Sequence, residues 1–207
     1  MEIALQTSVF FFMEPLVPPS ILDPIRHYLE LLDHWNARHA LTALSAEHRF
    51  EELIQDACAL LPHLQGVPAG SRLVDFGTGM GVPALVLALA RPDLEILAVD
   101  KSKKKIAFVR QATLELGLAN LVGVSGRCEE LPPIMADLGT AKAVGGLDLL
   151  LGWWVRHGKP GAPLLLLKGG DTASEPCPPC WSLQAHPYQL PTRGNRLVLR
   201  IKKEPVP

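Results

Sequence analysis

The sequence predicts an α/β protein built on a mostly parallel sheet with helices on both faces, preceded by a helical extension and closed by an antiparallel C-terminal hairpin. Three observations carry that reading. Short apolar runs alternate with stretches of helical period from Arg72 to Leu167; the glycines Gly77, Gly79 and Gly81 crowd the turn after the first run; and the C-terminal segment holds two strand patterns around a turn.

Composition sets the frame. The 207 residues suffice for one substantial core with a small appendage, and 48% hydrophobic against 20% charged residues excludes a disordered chain. A net charge of -1 gives no global basic field, so any RNA contact must come from a local cluster of Lys and Arg. The apolar run Val9 to Met13 is too short to span a bilayer and follows no positive charge, which predicts a cytoplasmic protein without membrane contact. Among the cysteines only Cys177 and Cys180 form a CxxC; with two prolines between them and no second ligand pair at finger spacing, neither a disulfide framework nor a zinc site is expected.

Taken in order, Ser20 is placed as an N-cap, and Ile21, Ile25, Tyr28, Leu29, Leu32 and Trp35 then recur at helical spacing. A second helix is predicted from Glu47 to Leu61, followed by a linker from Gln65 to Gly70. Arg72 to Phe76 is a strand, Val82 to Ala90 a buried helix, and Leu94 to Val99 a strand, which makes a βαβ unit. Ser102 to Leu116 is a helix stopped by Gly117, and Leu121 to Ser125 a third strand. Thr140 to Val144, Leu147 to Arg156 and Pro163 to Leu167 continue the alternation as strand, helix and strand. Trp181 to Tyr188 and Arg196 to Lys202 then flank a turn holding Pro191, Gly194 and Asn195. The division expected is residues 1–66 as the helical extension and 67–207 as the sheet domain, packed as one unit.

The glycine turn has a chemical meaning. Glycines after the first strand let a ligand approach the backbone, at the carboxyl ends of the strands where an open α/β sheet forms its crevice. A dinucleotide fingerprint reads GxGxxG, whereas here the spacing is GxGxG with Asp75 just before it. A carboxylate repels a pyrophosphate and attracts a cation, so the pattern favours S-adenosylmethionine, which carries an ammonium and a sulfonium and no phosphate. Asp100, closing the second strand, suits a ribose diol; its simpler reading is a cap for the helix that follows.

The motifs "DFGTGMGVP", "AVDKSKKKIAFVRQATLELGLANL" and "GRCEEL", with "LLDHWNARHALTAL" upstream and "LLLLKG" downstream, resemble the bacterial 16S ribosomal RNA guanine-N7 methyltransferases of the RsmG (GidB) type. The resemblance runs from about Ile21 to Lys202. It implies a Rossmann-like class I methyltransferase fold, S-adenosylmethionine as cofactor with S-adenosylhomocysteine as product, and ribosomal RNA or the small subunit as partner of a monomer. It places cofactor contacts at Gly77 and Val82, at Asp100, at Cys128 and Glu129 beside the adenine, and at Lys142, where the family has an arginine; the glycine turn itself adds Asp75, Gly79 and Gly81 as candidates. The stretch "EELIQDA" keeps only Asp56 of a family pattern, with Leu53 at a histidine position and Ala57 at a serine position; Ala84 replaces a glycine.

Guanine N7 has an in-plane lone pair and no proton to lose, so no catalytic acid or base is expected; alignment supplies the rate. Other RNA or small-molecule acceptors, or a non-catalytic homologue, are the alternatives. Lys103, Lys104 and Arg110 are candidate RNA contacts, with the solvated face of a helix as the other reading, and Lys168 at a strand's carboxyl end is a candidate substrate contact. Arg196, Arg200 and Lys202 share one strand face and extend that patch. Trp153 and Trp154 are expected in a core, with stacking on a base as the other reading, and Trp35 with Asn36 as an interdomain packing and hydrogen-bonding pair.

Overall fold

The computed structural model describes residues 16–169 and 178–204; the Val9 to Met13 run and Cys177 lie outside them. Helix α1 covers Leu22–His39 and buries Ile25, Tyr28 and Leu32 on one face. Ser20 is not its cap: Pro19–Ile21 form a 3-10 turn and Ile21 takes the cap position without a side-chain bond. Pro18 and Pro19 set that turn locally and carry the chain into the helix, which removes the need for a polar cap. At the other end Ala40 adopts a left-handed conformation, and the Asn36 side chain accepts the Thr42 N–H at 2.8 Å. Trp35 packs edge-on to Phe108 at 5.6 Å, so the Trp-Asn pair joins the extension to the sheet domain by packing and closes the helix end by hydrogen bonding.

The second helical segment is broken into α2 (Ala46–Arg49), a π-helical turn (Phe50–Gln55) and α3 (Asp56–Cys58). The expected continuous helix from Glu47 to Leu61 is therefore shorter and wider, and Leu61–Leu64 forms a separate 3-10 turn. The width has a use. In an α-helix residues five apart point about 140° from each other; in the π turn they stack, and the Asp56 N–H bonds the Glu51 carbonyl. Glu51, Glu52 and Asp56 thereby all reach the C-terminal hairpin.

The sheet contains β1 (Arg72–Phe76), β2 (Glu95–Asp100), β3 (Leu121–Ser125), β4 (Leu138–Lys142), β5 (Leu164–Gly169), β6 (Trp181–Leu190) and β7 (Gly194–Lys203). Its order is β3-β2-β1-β4-β5-β7-β6; the first five strands are parallel, and β7 runs antiparallel to both β5 and β6. The parallel sheet with an antiparallel hairpin matches the sequence expectation. Helices α4 (Ala84–Ala90) and α5 (Lys103–Glu115) cover one face together with α1, and α6 (Leu147–His157) covers the other. The run Leu164 to Leu167 is buried throughout because alternate leucines enter the two separate cores on either side. Residues of α1 and α3 share one apolar cluster with β1, α4 and α5. No described helix is long and apolar enough to cross a membrane.

One buried carboxylate ties these parts together. Asp56 is fully buried; its Oδ1 accepts the Tyr188 hydroxyl at 2.6 Å and lies 3.1 Å from Arg196 Nε, while Oδ2 lies 2.7 Å from Lys142 Nζ and 3.2 Å from Arg196 Nη2. Thr192 donates twice to Glu51, at 2.7 and 2.6 Å, and Arg193 pairs with Glu52. The helical extension is thus bonded to β4, β6, β7 and the hairpin turn. The basic strand face read from sequence is correspondingly smaller, because Arg196 is held by Asp56. Replacing one member of a buried charged cluster strands the others, so Asp56→Ala is expected to lower the unfolding free energy by about 3–5 kcal/mol in urea titrations; a loss below about 1 kcal/mol would mean that water already serves these cations.

Candidate functional site

The site forms where the chain leaves β1. Gly77 has φ +66°, and a Cβ built there would meet the Val144 side chain at 2.4 Å, so neither the conformation nor the space admits a larger residue. The turn is then tied to the neighbouring strand: Thr78 N–H donates to the Val99 carbonyl at 2.9 Å, and Gly79 N–H to Asp100 Oδ2 at 3.0 Å. Asp100 Oδ1 accepts the Ser102 N–H at 2.8 Å, while Ser102 itself caps α5 through the Lys105 N–H. The aspartate therefore cross-links two loops and also lines the cavity between them.

That cavity, of about 500 Å³, lies at the carboxyl ends of β1, β2 and β3 and is walled by Gly77, Asp100, Lys105, Cys128, Glu129 and Trp153. Its size suits a small organic ligand. The segment carrying Cys128 and Glu129 is fixed by α6. His157, fully buried, places Nε2 at 2.8 Å from the Cys128 carbonyl, and Arg156 donates to the Leu131 carbonyl at 3.0 and 2.7 Å. Burial, with the Arg156 charge adding to it and the bond to the Cys128 carbonyl opposing, holds the pKa of His157 below the ordinary histidine value. Burial pushes the Cys128 thiol up to about 12, which makes it an apolar wall and not a nucleophile. Glu129 is held by Arg127 at 3.0 Å.

The residues predicted for this site divide. Gly77, Asp100, Cys128 and Glu129 meet around the cavity; Gly79, Gly81 and Val82 shape the loop behind it. Asp75 has a different post from the one its sequence position suggests. It is fully buried beneath the loop, with Oδ1 accepting Thr140 Oγ1 at 2.9 Å and Oδ2 the Ala84 N–H at 3.4 Å. Burial pushes its carboxyl up to about 7, with hydrogen bonds opposing and Asp100 adding to the rise. Lys142 is likewise a correction, since its ammonium is spent on Asp56 and on the Glu52 carbonyl. The arginine-to-lysine change there joins the anchoring cluster.

The basic candidates also separate. Lys104 caps the C-terminal end of α1 by donating to the His39 carbonyl, and Arg110 Nε donates to Gly123 O at 3.1 Å, so both have structural partners; Lys103 is exposed at the start of α5. Lys168 lines a second cavity of about 360 Å³ at the ends of β4 and β5, where Arg196 is also found. The two cavities share the wall Ala143 to Gly145. A larger cavity, about 670 Å³, opens at the opposite end of the sheet between α6 and the hairpin, away from the strand ends where such sheets bind ligands. Trp154 is buried and donates Nε1 to Ala162 O at 3.0 Å, as a core residue should; Trp153 instead faces the first cavity across Phe76 at 5.8 Å. Sequence reasoning missed His157, and could not tell Trp153 from Trp154, because nothing local distinguishes them from other residues of an amphipathic helix. Cys180 is an exposed free thiol, and among the described residues no three metal-binding side chains cluster.

A sheet of this order, with a glycine turn after β1 and an aspartate ending β2, defines the class I methyltransferase fold. Solved structures agree: a SAM dependent methyltransferase from Aquifex aeolicus superposes with a TM-score of 0.56 at 17% identity, covering 74% of this chain and 92% of that one. TrmN from Thermus thermophilus gives 0.57 at 24% identity, over 71% of this chain and 48% of that one. Within that class, the family described as rRNA small subunit methyltransferase G (GidB) matches residues 21–178, and the chain belongs to it. The ribosomal RNA small subunit methyltransferase G of Neisseria meningitidis serogroup B is 38% identical over 148 residues, which is 71% of this chain and 70% of that relative.

Two outcomes follow from the geometry. Gly77→Ala is expected to lower stability by more than about 1–2 kcal/mol, the cost of a left-handed alanine alone, because Val144 must also move; chemical denaturation measures it. Asp75 holds a proton in the folded state up to about pH 7, whereas the unfolded chain gives it up near 3.8. The native state therefore binds the extra proton between those values, and the contribution of Asp75 to stability falls as pH rises from about 4 to about 7 and is flat above. The difference in unfolding free energy between wild type and Asp75→Asn, measured on the ligand-free protein across that range, is expected to show this slope.

Proposed function

We propose that the chain uses S-adenosylmethionine to methylate guanine N7 in the 16S RNA of the small ribosomal subunit. The observation that carries the reading is the pair of adjoining cavities: one walled by Gly77, Asp100, Cys128 and Glu129, the other reaching Lys168, with Ala143 to Gly145 between them. The residues of the first fit the cofactor. Gly77 presents bare backbone to the cavity, the Asp100 carboxylate at the end of β2 suits a ribose diol, and Cys128 offers an apolar contact for an adenine. When bound, S-adenosylmethionine supplies a methyl group on a sulfonium, and an in-plane lone pair accepts it without loss of a proton.

The protein's part is then to position and to enclose. Asp100 and the glycine turn hold the ribose end, α6 braces the adenine side through His157, and the Ala143 to Gly145 segment borders both cavities where donor and acceptor meet. Alignment of two held reactants is worth on the order of 7–11 kcal/mol, which suffices without an acid or base. Lys168, at the acceptor cavity, is assigned to the RNA, while Lys101 and Lys105 sit at the rim of the cofactor cavity where phosphates approach. The N7 edge of a paired guanine lies in the deep, narrow groove of an RNA helix, so the acceptor base must be presented from an open segment.

The direct test is transfer of a labelled methyl group to purified 30S subunits, with calorimetry of S-adenosylmethionine alongside. Lys168→Met is expected to reduce transfer at least about tenfold while leaving cofactor affinity within about twofold, a loss confined to the acceptor side. Tight binding of NAD with none of S-adenosylmethionine, or binding of cofactor and 30S without any transfer, contradicts the proposal.

A further inference from the structure

Tyr28 on α1 is fully buried, yet its hydroxyl donates to the carbonyl of Met80, in the middle of the glycine turn, at 3.0 Å. The contact spans 52 residues and joins the helical extension to the loop beside the cofactor cavity. Its ring is set by Phe108 at 6.0 Å, and burial raises the phenol's pKa well above its ordinary value, so it remains a donor at any physiological pH. The Met80–Gly81 peptide is thereby held at both polar ends, because Gly81 N–H donates to the Thr78 carbonyl at 3.0 Å. Gly81, on the C-terminal side of this peptide, has φ of +91°. A glycine on that side lets the peptide plane rotate at lower steric cost than any other residue would, so these two hydrogen bonds help to decide which way it faces.

We infer that Tyr28 is a positioning residue for the cofactor: the extension holds the glycine turn in its binding conformation through this one hydroxyl. The inference rests on the cofactor reading of the cavity given above. It also gives the extension a role at the cofactor end of the site, besides any contact with RNA. Without the hydroxyl the Met80 carbonyl loses its partner, the turn samples other orientations of that peptide, and apparent cofactor affinity falls by the fraction of time the competent one is lost.

Tyr28→Phe deletes the hydroxyl and keeps the ring packing. It is expected to raise KM and Kd for S-adenosylmethionine about five- to tenfold, with kcat at saturating cofactor and KM for 30S subunits within about twofold of wild type. Trp35→Phe loosens the same helix against Phe108 without touching the turn, and is expected to lower the unfolding midpoint while leaving cofactor KM within about twofold. An unchanged cofactor KM in Tyr28→Phe, or an equal rise in Trp35→Phe, overturns the inference. Should the wild-type protein not bind S-adenosylmethionine, the functional reading fails first, and amide hydrogen exchange on the ligand-free protein still decides: Tyr28→Phe must speed exchange at Gly81 relative to amides of β1, and equal rates sink it.

Discussion

The Asp56 carboxylate is the interaction on which the remaining structure depends. It is fully buried, and a buried carboxylate is tolerable only where polar and cationic partners such as Lys142, Arg196 and Tyr188 surround it. Those three residues come from β4, β7 and β6, so a single side chain of the extension gathers three strands of the half of the sheet that contains the hairpin. The π turn is what delivers it there, by stacking Asp56 over Glu51. The hairpin in turn is bonded to Glu51 and Glu52 at its tip, so the extension and the last two strands form one connected framework.

The site inherits its rigidity from that framework. Arg196 is shared between the Asp56 cluster and the cavity that Lys168 lines, and β4, which Lys142 anchors, leads directly into the Ala143 to Gly145 segment that borders both cavities. On the other side of β1, the glycine turn is held from below by Asp75, from the side by Asp100, and from the extension by Tyr28. Asp75 spends its oxygens on Thr140 Oγ1 and the Ala84 N–H, beneath the loop. This explains why Asp75, although it precedes the turn, does not line the cavity.

Much of the fold is legible in the sequence because its signals are local. The strands Arg72–Phe76 and Leu121–Ser125 fall where the apolar runs place them, and Gly117 ends α5 with paired bonds from Gly117 N–H to Leu114 O and from Leu118 N–H to Thr113 O. Gly77, Asp100, Cys128 and Glu129 come together because one βαβ unit and the strand after it bring their carboxyl ends to one edge. What sequence reasoning misplaces depends on partners distant in the chain. Lys142 resembles a ligand contact until Asp56, far upstream, claims it; Lys104 belongs to an exposed basic run until the end of α1 is placed against it; and the π turn has no helical-period signature that separates it from an α-helix. His157 is invisible, and Trp153 is not separable from Trp154, for the same reason, since their roles are set by the Cys128 and Glu129 segment they face.

A double-mutant cycle between Asp56→Asn and Lys142→Met, read by urea unfolding, addresses the central claim most directly. If the buried carboxylate organises the framework, the two substitutions couple by at least about 2 kcal/mol, because each alone strands the other's charge. Additivity within about 0.5 kcal/mol would contradict the account and place the joining of extension and sheet in apolar packing alone.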